Sequence, residues 1–402
     1  MKIWQYLGVS PEKFRTDYAE TGLVDVATHP QFPLQMLTYG REAVHTNNWD
    51  SVIRKCRGII FNVETDDIIA RPFEKFFNLK TAGMPETDPS AWVFDTVEQM
   101  EQMGEPEVWE KMDGFLCTAY EYRGQAYIAS KGSFDSVHAK WATNWYRNWM
   151  GEFYLGAWPT GYTPVFEGIC SSIRIVVDYE GFEGLVLLAL VNIETGEELP
   201  MAELQRWAAR THFETPDVYD LTWQGASAKS LDVNDEFYCN FEGYVLVWRR
   251  AGQVPFRLKV KYVDYLRLHR MVSGVSAKAI YRGLSDPAYK GELREWIDES
   301  TPWFSKFVSK WVRSLTMTHD GLMQQSETIF SNVKREMMDD IKNDIFWTRK
   351  DWANHFTNDA AKPFSGILFA MLDGKDASAV AWKLTKPMIK DSHPMLNASI
   401  LR

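Results

Sequence analysis

Tyr244-Val245-Leu246-Val247-Trp248, turned at Arg249 to Gly252 and resumed over Val254 to Val260, is the stretch that decides the fold. A β-branched and aromatic run, a short turn containing Gly, and a second such run read as an antiparallel hairpin. The same signal recurs upstream. Arg57 to Val63 turns at Glu64 to Asp67 into Ile68 to Phe73, and Leu116 to Tyr122 turns at Arg123-Gly124 into Gln125 to Ala129. Gly184 to Val191 is continuously apolar, as befits a strand buried on both faces. Between them, Met201, Leu204, Trp207 and Ala208 recur at helical spacing within Pro200 to Thr211. Up to about residue 270 the chain therefore reads as α+β, built around antiparallel sheet.

After Tyr262 the texture changes to amphipathic helices. Tyr262 to Met271, Pro287 to Glu299, Pro302 to Leu315, Gly321 to Asn343, Thr348 to Asn354 and Ala377 to Leu384 carry apolar residues at three- and four-residue intervals. With 402 residues the chain exceeds what one core usually serves. The Ser273-Gly274 to Ser276 stretch places the boundary, giving an α+β domain over 1–272 and an all-α domain over 273–402. The end, Pro387 to Arg402, reads as loosely held.

Bulk properties narrow the function classes. Cys56, Cys117, Cys170 and Cys239 are scattered without zinc-ligand spacing, which predicts reduced, partly buried thiols. No apolar run is long enough to span a membrane and the start lacks a leader pattern, so a cytoplasmic protein without membrane contact is expected. The net charge of −10 divides unevenly, −12 over the first 273 residues and +2 over the rest. A local basic groove for a polyanion is compatible with that sum.

The hairpin carries chemistry. Its second strand ends in Lys259-Val260-Lys261, where alternation aims both lysines at one face. The pair reads as a phosphate clamp, or else as a solvated outer face. Upstream stands Lys111-Met112-Asp113-Gly114, and just ahead of the hairpin Glu242-Gly243-Tyr244. In that order the three stretches describe a pocket in which a lysine amine attacks the phosphorus of a nucleoside triphosphate while further lysines neutralise its phosphates. A free lysine titrates near 10.4, so a neutral amine at pH 7 costs roughly 4 to 5 kcal/mol unless neighbours lower that value. Arg57, Lys75, Lys131, Lys259 and Lys261 are the cations expected to do so for Lys111. Glu167 and Glu242 are single carboxylates in apolar strands, which calls for a metal, a cation or a hydroxyl donor, a structural Arg being the plain alternative. Tyr39 and Phe77 are aromatic candidates for packing against a purine. His138 and His269 read as packing or surface residues.

On these residues the chain resembles the phage-type RNA ligase 1 family, whose best-known member comes from a T-even bacteriophage, within the covalent nucleotidyltransferase superfamily. The resemblance runs from about Tyr39 to Tyr265. It is carried by Lys55-Cys56-Arg57-Gly58-Ile59-Ile60-Phe61, Arg71-Pro72-Phe73-Glu74-Lys75-Phe76-Phe77-Asn78, Lys111-Met112-Asp113-Gly114, Ser130-Lys131-Gly132-Ser133, Phe166-Glu167-Gly168, Phe241-Glu242-Gly243-Tyr244-Val245 and Lys259-Val260-Lys261. The second of these is the most distinctive.

The resemblance implies an adenylyltransferase domain of antiparallel sheet followed by a helical domain that sets RNA preference. Lys111 would become a lysyl-adenylate. Tyr39, Arg57, Lys75, Glu167, Lys259 and Lys261 would contact ATP, with Phe77, Asp113 and Glu242 completing the nucleotide site. Lys131 and Tyr265 would be required for activity, and Glu242 would assist adenylate or metal binding. ATP and Mg2+ are the implied cofactors, and RNA bearing 5′-phosphate and 3′-hydroxyl ends is the implied partner, cleaved tRNA among the candidates. A monomer in the cytoplasm is expected, the host's if the gene belongs to a phage. Asp286, near the start of the helical domain, is a candidate magnesium ligand, its alternative role being to cap the helix ahead of Pro287.

Two positions depart from the family pattern: Met112 stands where an acidic residue is frequent, and Gly168 follows Glu167 in place of an aromatic. Two rivals remain. A DNA ligase or capping enzyme would place a β-barrel after the late lysines, whereas helices follow here. An RNA-binding protein with a retired ligase domain would not keep every charged motif position filled.

Overall fold

The computed structural model describes residues 1–79, 101–151, 154–170, 176–235, 240–250, 252–298 and 302–385. Cys239 and the stretch from Pro387 to Arg402 lie outside the described residues. The chain divides into two units, Met1–Arg267 and Leu268–Arg402.

In the first unit β1 (Val24–Thr28), β2 (Leu34–Tyr39), β3 (Arg57–Asn62) and β4 (Ile68–Ala70) form one antiparallel sheet in chain order. The chain continues with β5 (Phe77–Asn78), β6 (Glu107–Glu110), β7 (Phe115–Tyr122), β8 (Gln125–Ser130), β9 (Tyr162–Ile169), β10 (Gly184–Asn192), β11 (Val218–Tyr219), β12 (Gly243–Trp248) and β13 (Phe256–Lys261). A second sheet runs β10-β9-β7-β8 and a third β11-β6-β12-β13-β5. Pairings are antiparallel except β13 with β5. All three hairpins expected from sequence form. The tightest, β7 to β8, closes on Arg123 (φ 52°) and Gly124 (φ 74°), the left-handed pair that matches the twist of the flanking strands.

Alternation along the strands builds a layered core. Leu37, Ile59 and Phe61 of the first sheet pack on Ile3, Leu7 and Ile53 from amino-terminal helices. Its other face presents Leu34, Met36 and Ile60 to Tyr120, Ala129 and Phe134. The second sheet turns Cys117, Ala119, Phe166 and Leu187 toward Ala142 and Tyr146 of the helix Val137–Met150 and Leu204 and Ala208 of the helix Met201–Thr211. Cys56, Cys117 and Cys170 are buried, Cys56 and Cys117 as free thiols.

Among its described residues the second unit is helical, with Val333, Phe356, Ala361 and Leu368 as one core cluster. Three differences from the sequence reading have physical causes. The division between units falls at Arg267/Leu268, inside the helix Val263–Gly274, because Ser273-Gly274 ends that helix and not the domain. The two helices expected on either side of Thr316 to Asp320 are one, Pro302–Lys342, of 41 residues. The hydroxyl of Thr318 donates to the Ser314 carbonyl at 3.0 Å, so a residue type that suggests a turn rides within the helix. Ser365–Leu372, unread from sequence, is nearly all apolar and gives no amphipathic period; Ile367, Leu368 and Ala370 are buried. No helix among the described residues is long and apolar enough to cross a membrane.

Gly243 begins β12 with φ 146°, and an added Cβ would lie 1.9 Å from the Val260 carbonyl oxygen. We expect Gly243→Ala to destabilise the first unit by about 1 to 3 kcal/mol from backbone strain alone. Thermal unfolding followed by circular dichroism checks this; an unchanged midpoint would contradict the close pairing of β12 with β13.

Candidate functional site

Lys111 follows β6 directly, and its backbone N–H donates to the Gly243 carbonyl at 2.8 Å, so the β6–β12 pairing runs on past the strand end. That pairing brings the lysine to Glu242. Its Nζ donates to Glu242 Oε2 at 2.8 Å, while Lys261 Nζ lies 2.8 Å from Oε1 of the same carboxylate. The β12–β13 register pairs Gly243 with Lys261 and Val245 with Lys259, so both lysines share a face as alternation requires.

Three glycines set the closeness of approach. Gly58 (φ 93°) admits the Lys131 carbonyl oxygen to 2.8 Å of where its Cβ would stand. A Cβ on Gly114 would meet the Gly168 carbonyl oxygen at 2.3 Å, and one on Gly168 would lie 2.6 Å from the Phe115 ring. The space next to Glu167 is thus filled by Phe115 from β7, which explains why a glycine follows it. Met112 packs with Ile169 and Val186, so an apolar residue suits that position.

A cleft of about 320 Å³, within the range of small-molecule sites, is lined by Arg57, Lys111, Lys131, Glu167, Arg257 and Lys259, with apolar walls that include Phe76, Trp109, Phe115, Leu188 and Val245. Its cations outnumber its carboxylates. Arg257 is matched by a buried two-point pair with Glu198. Lys259 has no carboxylate partner among the described residues; its amine sits over the Phe76 ring, 4.7 Å from the centroid. Arg57 stacks on the same ring at 5.1 Å, and its Nη1 is buried without a hydrogen-bond partner.

Titration behaviour follows from this crowding. Burial lowers the pKa of Lys259 well below its ordinary value, reinforced by Lys75, Lys111 and Arg57. Burial would lower that of Lys111 too, but Glu242, then Glu167 and Asp113, outweigh it and the net shift is upward. The sequence expectation of a depressed Lys111 is therefore corrected: the nearest charge is an anion, and the depression falls on Lys259. Glu242 is the reverse case, burial raising its pKa but Lys111 and Lys261 bringing it below the usual value. Burial pushes Glu167 up to about 7, with Glu242 adding to the rise and Lys111 and Arg57 opposing it.

Arg57, Lys111, Lys131, Glu167 and Lys259 thus meet in the cleft, with Glu242 and Lys261 tied to Lys111. Tyr39 lies beneath Lys131 (4.2 Å from its ring centroid) and Lys75 (5.7 Å). Burial opposes ionisation of its phenol, yet Arg57, Lys131 and Lys75 leave the pKa below normal. Asp113 spends its carboxylate on the protein: Oδ1 accepts from Tyr265 Oη at 2.7 Å, and Oδ2 from the Val176 and Val177 N–H groups at 2.8 and 2.9 Å. Asp113 and Tyr265 therefore brace the lysine turn. Phe77 is 4% exposed and packs on Trp49, 5.6 Å between centroids. The ring facing the cleft is its neighbour Phe76, because successive side chains of an extended segment point opposite ways. Asp286, in the second unit, realises the capping alternative, accepting from the Ala288 N–H at 3.0 Å. The sequence reading missed Arg257, two positions before Lys259, although the same alternation could have found it.

A family model described as RNA ligase matches residues 55–265. The chain belongs to the RNA ligase family. The match spans every charged cleft residue named above. Among similar curated proteins, an RNA ligase of Rhodothermus phage RM378 is 22% identical over 80% of this chain and 81% of its own length. A protein of Autographa californica nuclear polyhedrosis virus, named as a bifunctional polynucleotide kinase/RNA ligase, is 22% identical over 76% of this chain. The chain spans 45% of the length of that viral relative. Among solved structures, an archaeal ATP-dependent RNA ligase matches with a TM-score of 0.46 at 14% identity, covering 82% of this chain and 81% of its own.

Glu167 yields a test of the electrostatics. Its raised pKa means the folded state favours the protonated acid: the stability this lends is complete below about 4.5 and is lost as pH rises through about 7. Glu167→Gln, which keeps an acceptor for the Gly114 N–H, should leave the unfolding temperature unchanged near pH 4.5 and raise it at pH 8. An equal shift at both pH values would refute the assignment.

Proposed function

We propose that the chain is an ATP-dependent RNA ligase working through a lysyl-adenylate at Lys111. The observation that carries the reading is a nucleophile-type lysine at the edge of a cleft in which Lys259 and Arg57 are paired with no carboxylate among the described residues. Such a charge excess suits a polyphosphate, since a buried charge is costly without a counter-charge. The orphan Nη1 of Arg57 gives the same ligand a directed donor. Family membership supplies the reaction class.

In this reading Lys111 Nζ attacks the α-phosphorus of ATP. A P–N bond forms, the bond from that phosphorus to the bridging oxygen breaks, and pyrophosphate leaves while the amine gives up a proton. An oxygen of an RNA 5′-phosphate then displaces the lysine, which recovers its proton, to give an adenylated RNA end. Finally a 3′-hydroxyl attacks that 5′-phosphorus and AMP departs. Lys259, Lys131 and Arg57 would hold phosphate oxygens, and the rings of Phe76 and Trp109 together with Leu188 and Val245 would receive the purine.

Magnesium suits this site as a companion of the triphosphate. No group of three or more His, Cys, Asp or Glu among the described residues could hold a metal, and both oxygens of Glu242 are engaged by lysines. Glu110 and Glu167 are the carboxylates that line the cleft, and Glu167, beside Lys111 and Arg57, would share an ion with phosphate oxygens, where the ion would supply charge neutralisation. Repair of cleaved RNA, tRNA included, is the role that fits an enzyme rejoining 5′-phosphate and 3′-hydroxyl ends, acting as a monomer in the cytoplasm.

Incubation with α-labelled ATP and magnesium should leave a covalent adenylate with the alkali-stable, acid-labile behaviour of a P–N linkage, which Lys111→Ala abolishes. Label from GTP instead would indicate capping chemistry, and none from either would remove the ligase reading. With adenylate formed, sealing of 5′-phosphorylated single-stranded RNA but not of nicked duplex DNA is expected. Because Glu242 raises the Lys111 pKa, the adenylylation rate should climb with pH. In Glu242→Gln burial and the surrounding cations act unopposed by that anion, so the rising limb should move to lower pH in single-turnover assays; an unmoved limb would show that Glu242 does not set the amine's protonation.

A further inference from the structure

The helix Val137–Met150 departs from the rest of the chain in composition. It carries His138, Trp141, Trp145 and Trp149 with Lys140 and Arg147, and contains no carboxylate in a protein whose net charge is −10. The aromatic residues recur at intervals of three and four, which places them on one face. Trp149 is 50% exposed, and Trp141 and Trp145 are half-buried. Its buried residues, Ala139, Ala142 and Tyr146, face the core, while Trp141 and Trp145 pack against the edge of that core and stay partly exposed.

This aromatic face is continuous with the cleft. Phe115, part of the cleft wall, meets His138 edge-on at 4.6 Å between centroids and Trp141 at 5.8 Å. Farther along, Trp145 stacks on Trp149 at 5.2 Å and 16° between planes. Trp149 is anchored by its indole N–H, which donates to the Thr211 carbonyl at 3.1 Å. From His138 to Trp149 the helix rises roughly 16 Å, the length of about five stacked bases. Flanking positions hold the exposed Lys140, Asn144 and Asn148, polar groups suited to a phosphodiester backbone. The helix carries Lys140 and Arg147 and no carboxylate, which favours a polyanion over a protein as the occupant of this face.

We propose that this helix is a stacking track for the unpaired bases of an RNA strand whose end lies in the cleft beside Lys111. The track rests on the ligase reading and adds to it the class of substrate end: single-stranded for several nucleotides beyond the reacting phosphate. Stacking on an aromatic ring is indifferent to base identity, so the track is tolerant of sequence.

The test uses the full chain and a fluorescently labelled, 5′-phosphorylated 12-nucleotide RNA, either unpaired or closed into a blunt duplex. Replacing both Trp141 and Trp149 by Ala should weaken binding of the unpaired RNA by about fivefold or more for each ring removed, raise its KM in sealing, and leave duplex binding and adenylylation of Lys111 from ATP unchanged. Trp149→Tyr, which retains a ring, should restore most of the affinity lost in Trp149→Ala. Equal affinity of the double variant for unpaired RNA, with adenylylation intact, would overturn the track alone. A loss equal for unpaired and duplex RNA, or a wild-type dimer that the substitutions dissociate, would overturn it in favour of a general fold or protein-contact role. Wild type that neither adenylylates nor binds RNA would overturn the ligase reading and the track together.

Discussion

Placing more positive than negative charge around one cleft is the constraint on which the rest of this site depends. Arg57, Lys111, Lys131 and Lys259 converge on a space to which Glu167 contributes one carboxylate. Glu242, held between Lys111 and Lys261, makes the crowding tolerable by sharing one negative charge between two amines. Low dielectric makes each unpaired cation costly, so the sheets are not free to arrange themselves for packing alone. Glycines at 58, 114, 168 and 243 bring backbones close enough to fix the charged groups, and two of them, Gly58 and Gly243, do so with positive φ.

Much of this was legible in the sequence, for identifiable reasons. The hairpins declared themselves because period-two apolar runs and turn residues are local signals, and the Lys259-Val260-Lys261 pair could be put on one face from alternation alone. What stayed hidden is non-local. Glu242 is 131 residues from Lys111, and only the β6–β12 pairing makes them partners; the sequence marks Glu242 as a site residue but does not place its carboxylate on the lysine. The choice between Phe76 and Phe77 hinged on which side of a two-residue strand faces the cleft, a question of register that composition does not answer. In the helical unit the long helix through Gly321 was divided in two, because local breakers were weighted above the packing that overrides them.

The departures from the family pattern become intelligible as packing. Met112 lies between the lysine and the aspartate of its tetrapeptide yet points into an apolar cluster with Ile169 and Val186, while Asp113 goes the other way to its hydroxyl and amide donors. One residue of the turn therefore serves the core and the next the polar brace, and the amine between Glu110 and Met112 is left to reach Glu242. Gly168 similarly yields its side-chain space to Phe115. That ring walls the cleft and touches the first two aromatic residues of the helix Val137–Met150, so a small residue beside Glu167 is what permits the cleft and that helix face to be contiguous.

The two glutamates show how one environment yields two chemistries. Both are surrounded by protein, but Glu242 contacts two ammonium groups directly and stays ionised, whereas Glu167 accepts from the Gly114 N–H at 3.1 Å and holds its proton up to about pH 7. Divergence of this kind separates an anchor from a group that exchanges protons near neutrality. A polyanion entering the cleft raises the pKa of every group it approaches, so the lysines keep their charge and Glu167 keeps its proton until a cation shared with the phosphates displaces it. Charge balance in the occupied cleft is then reached through Glu167, while the Lys111–Glu242–Lys261 arrangement, with its partners at 2.8 Å on either side, holds the amine in register.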